Sequence, residues 1–296
     1  DDRVDPCNLS QPSLPTSGAR DRQHSSGCLA PSNFPKRACC TSLLAARSIM
    51  AAFVSGASRG IGLALVERLL KRTSMPVIAA GRTALSSEGL QALQKQHGDR
   101  LIPLALDVSD ASSVLSAAEA AKTAGGRVDL LVHSAAMMHP SGRGENSVSR
   151  LEQDAFMEVL STNVVGPAVL TKTLYPMLKR AKGEEPSKVV AVGAGVGSIS
   201  TNKAGGWYSY RVSKSALNAL MKNISIEGLR SNVLAFTLYP QMVDTVFAKP
   251  YLKGNPYPEL RTPEETADRM LELIDSYGVK DTGRFVNIWS RDDIPW

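Results

Sequence analysis

The stretch from Ala51 to Leu70, AAFVSGASRGIGLALVERLL, constrains this chain more than any other. A short apolar run leads into a glycine-rich turn and then into an amphipathic pattern of helical period. Gly56, Gly60 and Gly62 stand at the spacing GxxxGxG. A strand that feeds a helix through such a turn leaves backbone N–H groups free at the positive end of the helix, where they attract a phosphate or pyrophosphate. Gly56 is expected to permit the sharp turn, Gly60 to let the backbone approach the ligand, and Gly62 to let helix and sheet pack closely. By themselves the glycines also admit an ordinary tight strand-to-helix connection.

Apolar and helical stretches alternate through the rest of the chain. Strands are expected at Pro76–Ala80, Leu101–Leu106, Val128–His133, Lys188–Val192, Val233–Leu238 and Phe285–Trp289. Helices are expected at Ser86–His97, Ala111–Thr123, Asp154–Lys182 with a bend near Gly166-Pro167, Tyr210–Leu229 and Pro263–Tyr277. The run Asp107 to Asp110 is read as ending its strand and capping the next helix. Such alternation predicts an α/β fold: a doubly wound parallel sheet of Rossmann type, in a single domain with helices on both faces. That domain is expected to span residues 50–296.

Residues 1–49 differ in kind. They are rich in Ser, Pro, Arg and Cys without periodicity, and all four cysteines (Cys7, Cys28, Cys39, Cys40) lie there. A disordered leader is expected. A stretch without acidic residues from Arg22 to Met50 suggests an organellar transit peptide, which would place the protein in a plastid or mitochondrion. Asp1, Asp2, Asp5 and Asp21 speak against it, and the segment also reads as translated upstream sequence before Met50, with the protein then cytoplasmic. The net charge of +6 is scattered, which argues against a nucleic-acid partner, and no apolar run reaches the length of a membrane span.

An acidic residue about 20 positions past the glycines takes the ribose hydroxyls of NAD in dinucleotide-binding folds. Arg82 stands at the end of the second strand instead, and Arg59 lies inside the glycine turn. Two guanidinium groups suit a 2′-phosphate, so the expected cofactor is NADP rather than NAD. Asp107 ends the third strand, where it can meet the adenine or cap the following helix.

Tyr210-Arg211-Val212-Ser213-Lys214 is a YxxxK motif in a helical stretch. Spacing i, i+4 sets both side chains on one face, one turn apart. An ammonium beside a phenol favours the phenolate and lowers the tyrosine pKa from its reference of about 10. Such a tyrosine can exchange a proton with a carbonyl or alcohol oxygen near neutral pH.

With these motifs in order, the chain resembles the short-chain dehydrogenase/reductase family over nearly all of residues 50–296. Ser55 to Gly62, Asp107-Val108, Asn163 in TNVVGP, Tyr210 to Lys214, and Pro240 with Val243-Asp244-Thr245 carry the resemblance. Gly205 to Asn218 and the ending Gly283 to Trp296 look like the C-factor branch. The resemblance implies Tyr210 as catalytic acid/base, Lys214 tuning it and holding the nicotinamide ribose, and Asn163 anchoring a relay water. It implies Ser55, Gly56, Ser58, Arg59, Gly60, Ile61 and Gly62 at the pyrophosphate, Arg82, Asp107 and Val108 at the adenosine end, and Pro240, Val243 and Thr245 near the nicotinamide. It also implies a homodimer or homotetramer. Asn163 has a structural reading too, as a residue bonding backbone carbonyls at a helix kink.

Three departures from the family pattern stand out. The catalytic serine position is Ala194, and losing such a donor costs about 3–4 kcal/mol of transition-state stabilisation at comparable sites. Ser198 on the same loop is a candidate replacement. The family's N-N-A-G is His133-Ser134-Ala135-Ala136, and His133 is read as structural. The usual P-G is Pro240-Gln241, which is expected to alter the loop over the nicotinamide.

Among other residues, His97 and His139 lack metal-ligand spacing and are read as surface residues, and no metal is expected. Met137-Met138 reads either as pocket lining or as core filling. Phe247 to Leu260 resembles a substrate lid. The expected function is an NADP-dependent oxidoreductase moving a hydride between nicotinamide and a small carbonyl or alcohol. The alternatives are a catalytically weak or silent NADP-binding module in signalling or redox sensing, and an epimerase or dehydratase on the same scaffold.

Overall fold

The computed structural model describes residues 51–252 and 260–296, so the leader expected at 1–49 lies outside the described residues. Seven strands form one sheet: β1 (Ala52–Ser55), β2 (Val77–Gly81), β3 (Leu101–Ala105), β4 (Leu130–His133), β5 (Ser187–Val192), β6 (Val233–Tyr239) and β7 (Phe285–Asn287). Their order is β3-β2-β1-β4-β5-β6-β7 and all pairings are parallel. The eight helices among the described residues are α1 (Gly60–Arg72), α2 (Glu88–His97), α3 (Ala111–Thr123), α4 (Gln153–Leu160), α5 (Gly166–Leu178), α6 (Tyr208–Gly228), α7 (Lys249–Leu252) and α8 (Pro263–Ser276).

Alternation along each strand makes two cores. In β1, Ala52 and Val54 face a cluster with Leu65, Val66 and Leu69 of α1 and Met270 and Ile274 of α8. Phe53 faces the opposite cluster, with Val114 of α3, Leu170 and Leu174 of α5, and Leu217 and Met221 of α6. Strands covered on both faces read as continuous apolar runs, which is why the sequence shows them plainly. The order reverses between β1 and β4. Loops leaving the carboxyl ends of those strands diverge there and open a crevice, where ligands of such sheets bind.

Several expected boundaries move. The helix expected over Asp154–Lys182 is two helices joined by a π-helical turn at Ser161–Val165. The irregularity therefore precedes Gly166-Pro167, and Pro167 sits comfortably in the first turn of α5. α5 stops at Leu178, where Lys179 leaves the helical conformation, and Arg180 takes the carbonyls of Met177, Lys179 and Val128. α6 starts at Tyr208 rather than Tyr210, β7 ends at Asn287 rather than Trp289, and the expected loop from Ala248 holds the short α7. The N-cap of α3 is Asp110, whose carboxylate accepts from the Ser112 N–H at 2.8 Å. Asp107 instead closes a turn on Ser109, with its Oδ1 accepting from N–H and hydroxyl at 2.9 and 2.6 Å.

Candidate active site

A cavity of about 660 Å³ opens along the carboxyl ends of the strands. One end is the turn from β1 to α1. Gly56 has φ +73° and Gly60 φ +56°, both in the left-handed region. A Cβ on Gly56 would lie 2.5 Å from the Ala135 nitrogen, so glycine is needed for both conformation and space. A Cβ on Gly62 would lie 2.2 Å from the Gly56 carbonyl oxygen, so the close approach here is of α1 to the turn itself rather than to a strand. Arg59 is the N-cap of α1 but offers no side-chain acceptor, and the first turn has no acidic residue. The first N–H groups of α1 are thus left for an anion.

Ser58, Arg59, Gly60 and Ile61 line this end, and Gly56 joins them. Arg82, Asp107 and Val108 line the adjoining wall, with Arg59 and Arg82 both exposed. Ser55 and Gly62 do not line the cavity. Ser55 is buried and donates to the Val132 carbonyl at 3.3 Å, tying β1 to β4, and Gly62 acts through packing.

The other end is built by β4, β5, β6 and α6. Tyr210 and Lys214 both line it, on one face of α6 as their spacing predicts. The Lys214 Nζ lies 5.7 Å from the Tyr210 ring centroid and donates to the Val192 carbonyl at 2.8 Å. Burial pushes the Lys214 ammonium down from its ordinary 10.5 to about 8. The Phe247 ring stands 6.2 Å from that of Tyr210, tilted by 53°. Pro240, Val243 and Thr245 line the same end, and the Thr245 methyl would meet a Cβ on Gly60 at 3.2 Å. The segment after β6 therefore lies over the glycine turn. Of the lid expected at Phe247 to Leu260, residues 253–259 lie outside the described residues.

Asn163 is buried and does not line the cavity. Its Oδ1 accepts from the Met137 N–H at 2.8 Å, and its Nδ2 donates to the Met137 carbonyl at 2.8 Å and the Ser213 hydroxyl at 2.9 Å. The side chain fastens the π turn to the β4 loop and to α6, which is its structural reading. Met138 lines the cavity, while Met137 is held by that clamp.

Ala194 lines the cavity, but Ser198 does not. The Ser198 hydroxyl donates to the Pro295 carbonyl at 2.5 Å and is buried, so the replacement considered for Ala194 is spent on the C-terminal tail. His133 is buried with its Nε2 2.8 Å from the Thr171 hydroxyl, and burial holds its pKa down to about 3, in keeping with a structural role. Gln241 adopts φ +62°, in the left-handed region that favours glycine. A side chain held in that region bears a cost of about 1 kcal/mol. His97 and His139 are half-buried rather than on the surface. Among the described residues no cluster of His, Cys, Asp and Glu could hold a metal ion, and no helix is long and apolar enough to cross a membrane.

Two contributors escaped the sequence. Glu145 is buried, and its carboxylate accepts the Ser209 N–H at 3.1 Å while its carbonyl accepts the Trp207 N–H at 2.5 Å. It thereby caps the first turn of the helix that carries Tyr210. His139 Nε2 lies 3.9 Å from the same carboxylate. Trp207 sits at φ +51° against Gly144, where any side chain would collide with its ring. The other contributor is Tyr239, the last residue of β6, which lines the cavity. Only its place at a strand end signalled it.

The family model for short chain dehydrogenases matches residues 50–255. An uncharacterised oxidoreductase of Schizosaccharomyces pombe is 31% identical over 246 residues, 79% of this chain and 94% of that protein. The benzil reductase ((S)-benzoin forming) of Saccharomyces cerevisiae is 29% identical over 197 residues, 66% of this chain and 72% of its own. Among solved structures, the NADPH-bound carbonyl reductase from chicken fatty liver aligns with a TM-score of 0.72 at 28% identity, covering 84% of this chain and 100% of the other. With the sheet order and cavity described above, these matches establish that the chain belongs to the short-chain dehydrogenase/reductase family of oxidoreductases.

Proposed function

We propose that this oxidoreductase is NADP-dependent and reduces a small carbonyl compound, or oxidises the matching alcohol, in the cavity between α1 and α6. The observation that carries the reading is the shared cavity. It joins the uncapped start of α1 and the exposed guanidinium groups of Arg59 and Arg82 to the Tyr210–Lys214 pair.

The residues present fit the cofactor. The free N–H groups of α1 suit a pyrophosphate, and Arg59 with Arg82 suit a 2′-phosphate. Asp107 and Val108 would border the adenine, and Pro240, Val243 and Thr245 the nicotinamide, which when bound supplies or accepts a hydride. Tyr210 gives its phenolic proton to the carbonyl oxygen in reduction and takes it back in oxidation. Lys214, close to losing its own proton at neutral pH, favours the phenolate while charged and is oriented by the Val192 carbonyl. Asn163 keeps α6 and the β4 loop in register through Ser213 and Met137.

The test follows NADPH absorbance with 4-nitrobenzaldehyde, benzil and simple aliphatic ketones. Turnover with at least one is expected, and Tyr210→Phe is expected to cut kcat by about 10²–10⁴-fold with NADPH affinity retained. NADPH binding without turnover of any of them, or turnover indifferent to Tyr210→Phe, would overturn the reading.

A further inference from the structure

Ala194 leaves the reaction centre one hydroxyl short, and Ser198 is bonded to the C-terminal tail. The end of β6 brings another hydroxyl to the wall of the same cavity. β6 lies beside β5 with Val192 opposite Leu238. The Gly193 N–H donates to the Leu238 carbonyl at 2.8 Å, so the pairing runs on past β5 into the turn that carries Ala194. Tyr239, the next residue of β6, therefore stands beside that turn.

Its ring packs on Gly195. A Cβ on Gly195 would lie 3.0 Å from Tyr239 Cζ and 3.2 Å from its hydroxyl oxygen. The hydroxyl end of the ring, rather than its base, thus occupies the space a side chain at 195 would take, immediately after Ala194. Ala194, Gly195, Tyr210 and Tyr239 all line the one cavity. A phenol reaches several ångströms farther from its backbone than a serine hydroxyl, which lets a neighbouring strand deliver it. The small residues at 194 and 195 leave it room.

We propose that the Tyr239 hydroxyl donates the second hydrogen bond to the substrate oxygen, in place of the hydroxyl that Ala194 lacks. The inference rests on the carbonyl-reductase reading above. In reduction the carbonyl carbon takes the hydride, its oxygen takes the Tyr210 proton, and the C=O double bond becomes a C–O–H group. Tyr239 keeps its own proton and only bonds the oxygen as negative charge develops there, as a donor in an oxyanion hole does. A phenol is a strong donor for this purpose, being more acidic than an aliphatic alcohol.

A double-mutant cycle with NADPH and 4-nitrobenzaldehyde tests the assignment, using Tyr239→Phe, Ala194→Ser and the two combined. Phenylalanine keeps the ring against Gly195, and an unchanged melting temperature checks that it does. Tyr239→Phe is expected to lower kcat by about 100-fold while KM changes far less. In the Ala194→Ser background the serine supplies the bond, and the same replacement is expected to cost less than about 10-fold. Equal losses in both backgrounds, or a Tyr239→Phe variant as fast as the parent, would overturn the inference. If Tyr210→Phe still abolishes turnover in that case, the carbonyl-reductase reading stands and only the role of Tyr239 falls.

Discussion

At the end of the cavity bounded by β1, β2 and β3, backbone does most of the positioning, whereas at the end bounded by β5, β6 and α6 side chains do. The first end needs Gly56 and Gly60 at positive φ and no Cβ on Gly62. Its N–H groups point where the helix geometry sends them, and few replacements are tolerated. The second end depends on Lys214 reaching the Val192 carbonyl, Glu145 capping α6 and Asn163 bridging Met137 to Ser213. There Ala194 brings no hydroxyl, and Gln241 holds a positive φ. A site made of backbone is fixed by sterics, while one made of side chains can hand a task from one residue to another, as Ala194 and Tyr239 do under the proposal above.

The largest effect that would sharpen this contrast is at Gly62. Gly62→Ala sets a methyl group against the Gly56 carbonyl and is expected to destabilise the fold by at least about 3 kcal/mol in urea unfolding. Wild-type stability in that variant would show that the backbone end is no stricter than the other.

At the side-chain end, Lys214 carries a comparable energy with a pH signature. Below about pH 8 both folded and unfolded chains hold the proton, the folded one at a cost. Between about 8 and 10.5 the unfolded chain alone holds it, so folding becomes more favourable as pH rises through that window. Relative to Lys214→Met, the wild-type chain is expected to gain about 3 kcal/mol between pH 7 and pH 11. Parallel stability curves for the two proteins would argue against a buried, depressed ammonium.

Arg82 gives a smaller effect, confined to the cofactor end. Arg82→Ala is expected to weaken NADPH binding by about 30-fold in calorimetry while leaving NADH nearly unchanged, since one charge-assisted contact is worth about 2 kcal/mol. Equal weakening of both dinucleotides would remove the 2′-phosphate from the account.

The smallest effect lies between the ends, at His133. The unfolded chain takes up a proton near pH 6.5, but the folded one does not until about pH 3, so stability is lost as pH falls through that range. His133→Asn is expected to recover about 1.5 kcal/mol at pH 5.5 relative to the wild type, after normalising at pH 7.5. An unchanged acid limb would mean that the imidazole does not stay neutral in the fold.

The strands and the glycine turn were legible because each obeys a local rule: apolar residues buried on both faces, or glycine where a Cβ cannot fit. The YxxxK pair was legible because one helical turn fixes its spacing. Asp107 and Asp110 were harder to separate, since both are carboxylates near a helix start and only the turn geometry decides between them. Ser198 looked available because it is near Ala194 in sequence, but Pro295, from the far end of the chain, takes its hydroxyl. Glu145 gave no local sign, because its partner is the N–H of Ser209, well beyond it in the chain.

The sequence by itself determined the family, the parallel sheet, the glycine turn and the phenol–amine pair, all set by short-range sterics and periodicity. The tertiary structure alone decided where Ser198 spends its hydroxyl, what caps α6 and where Asn163 spends its amide. Those choices depend on strand register and on contacts between distant segments, and neither is written in any local window of residues.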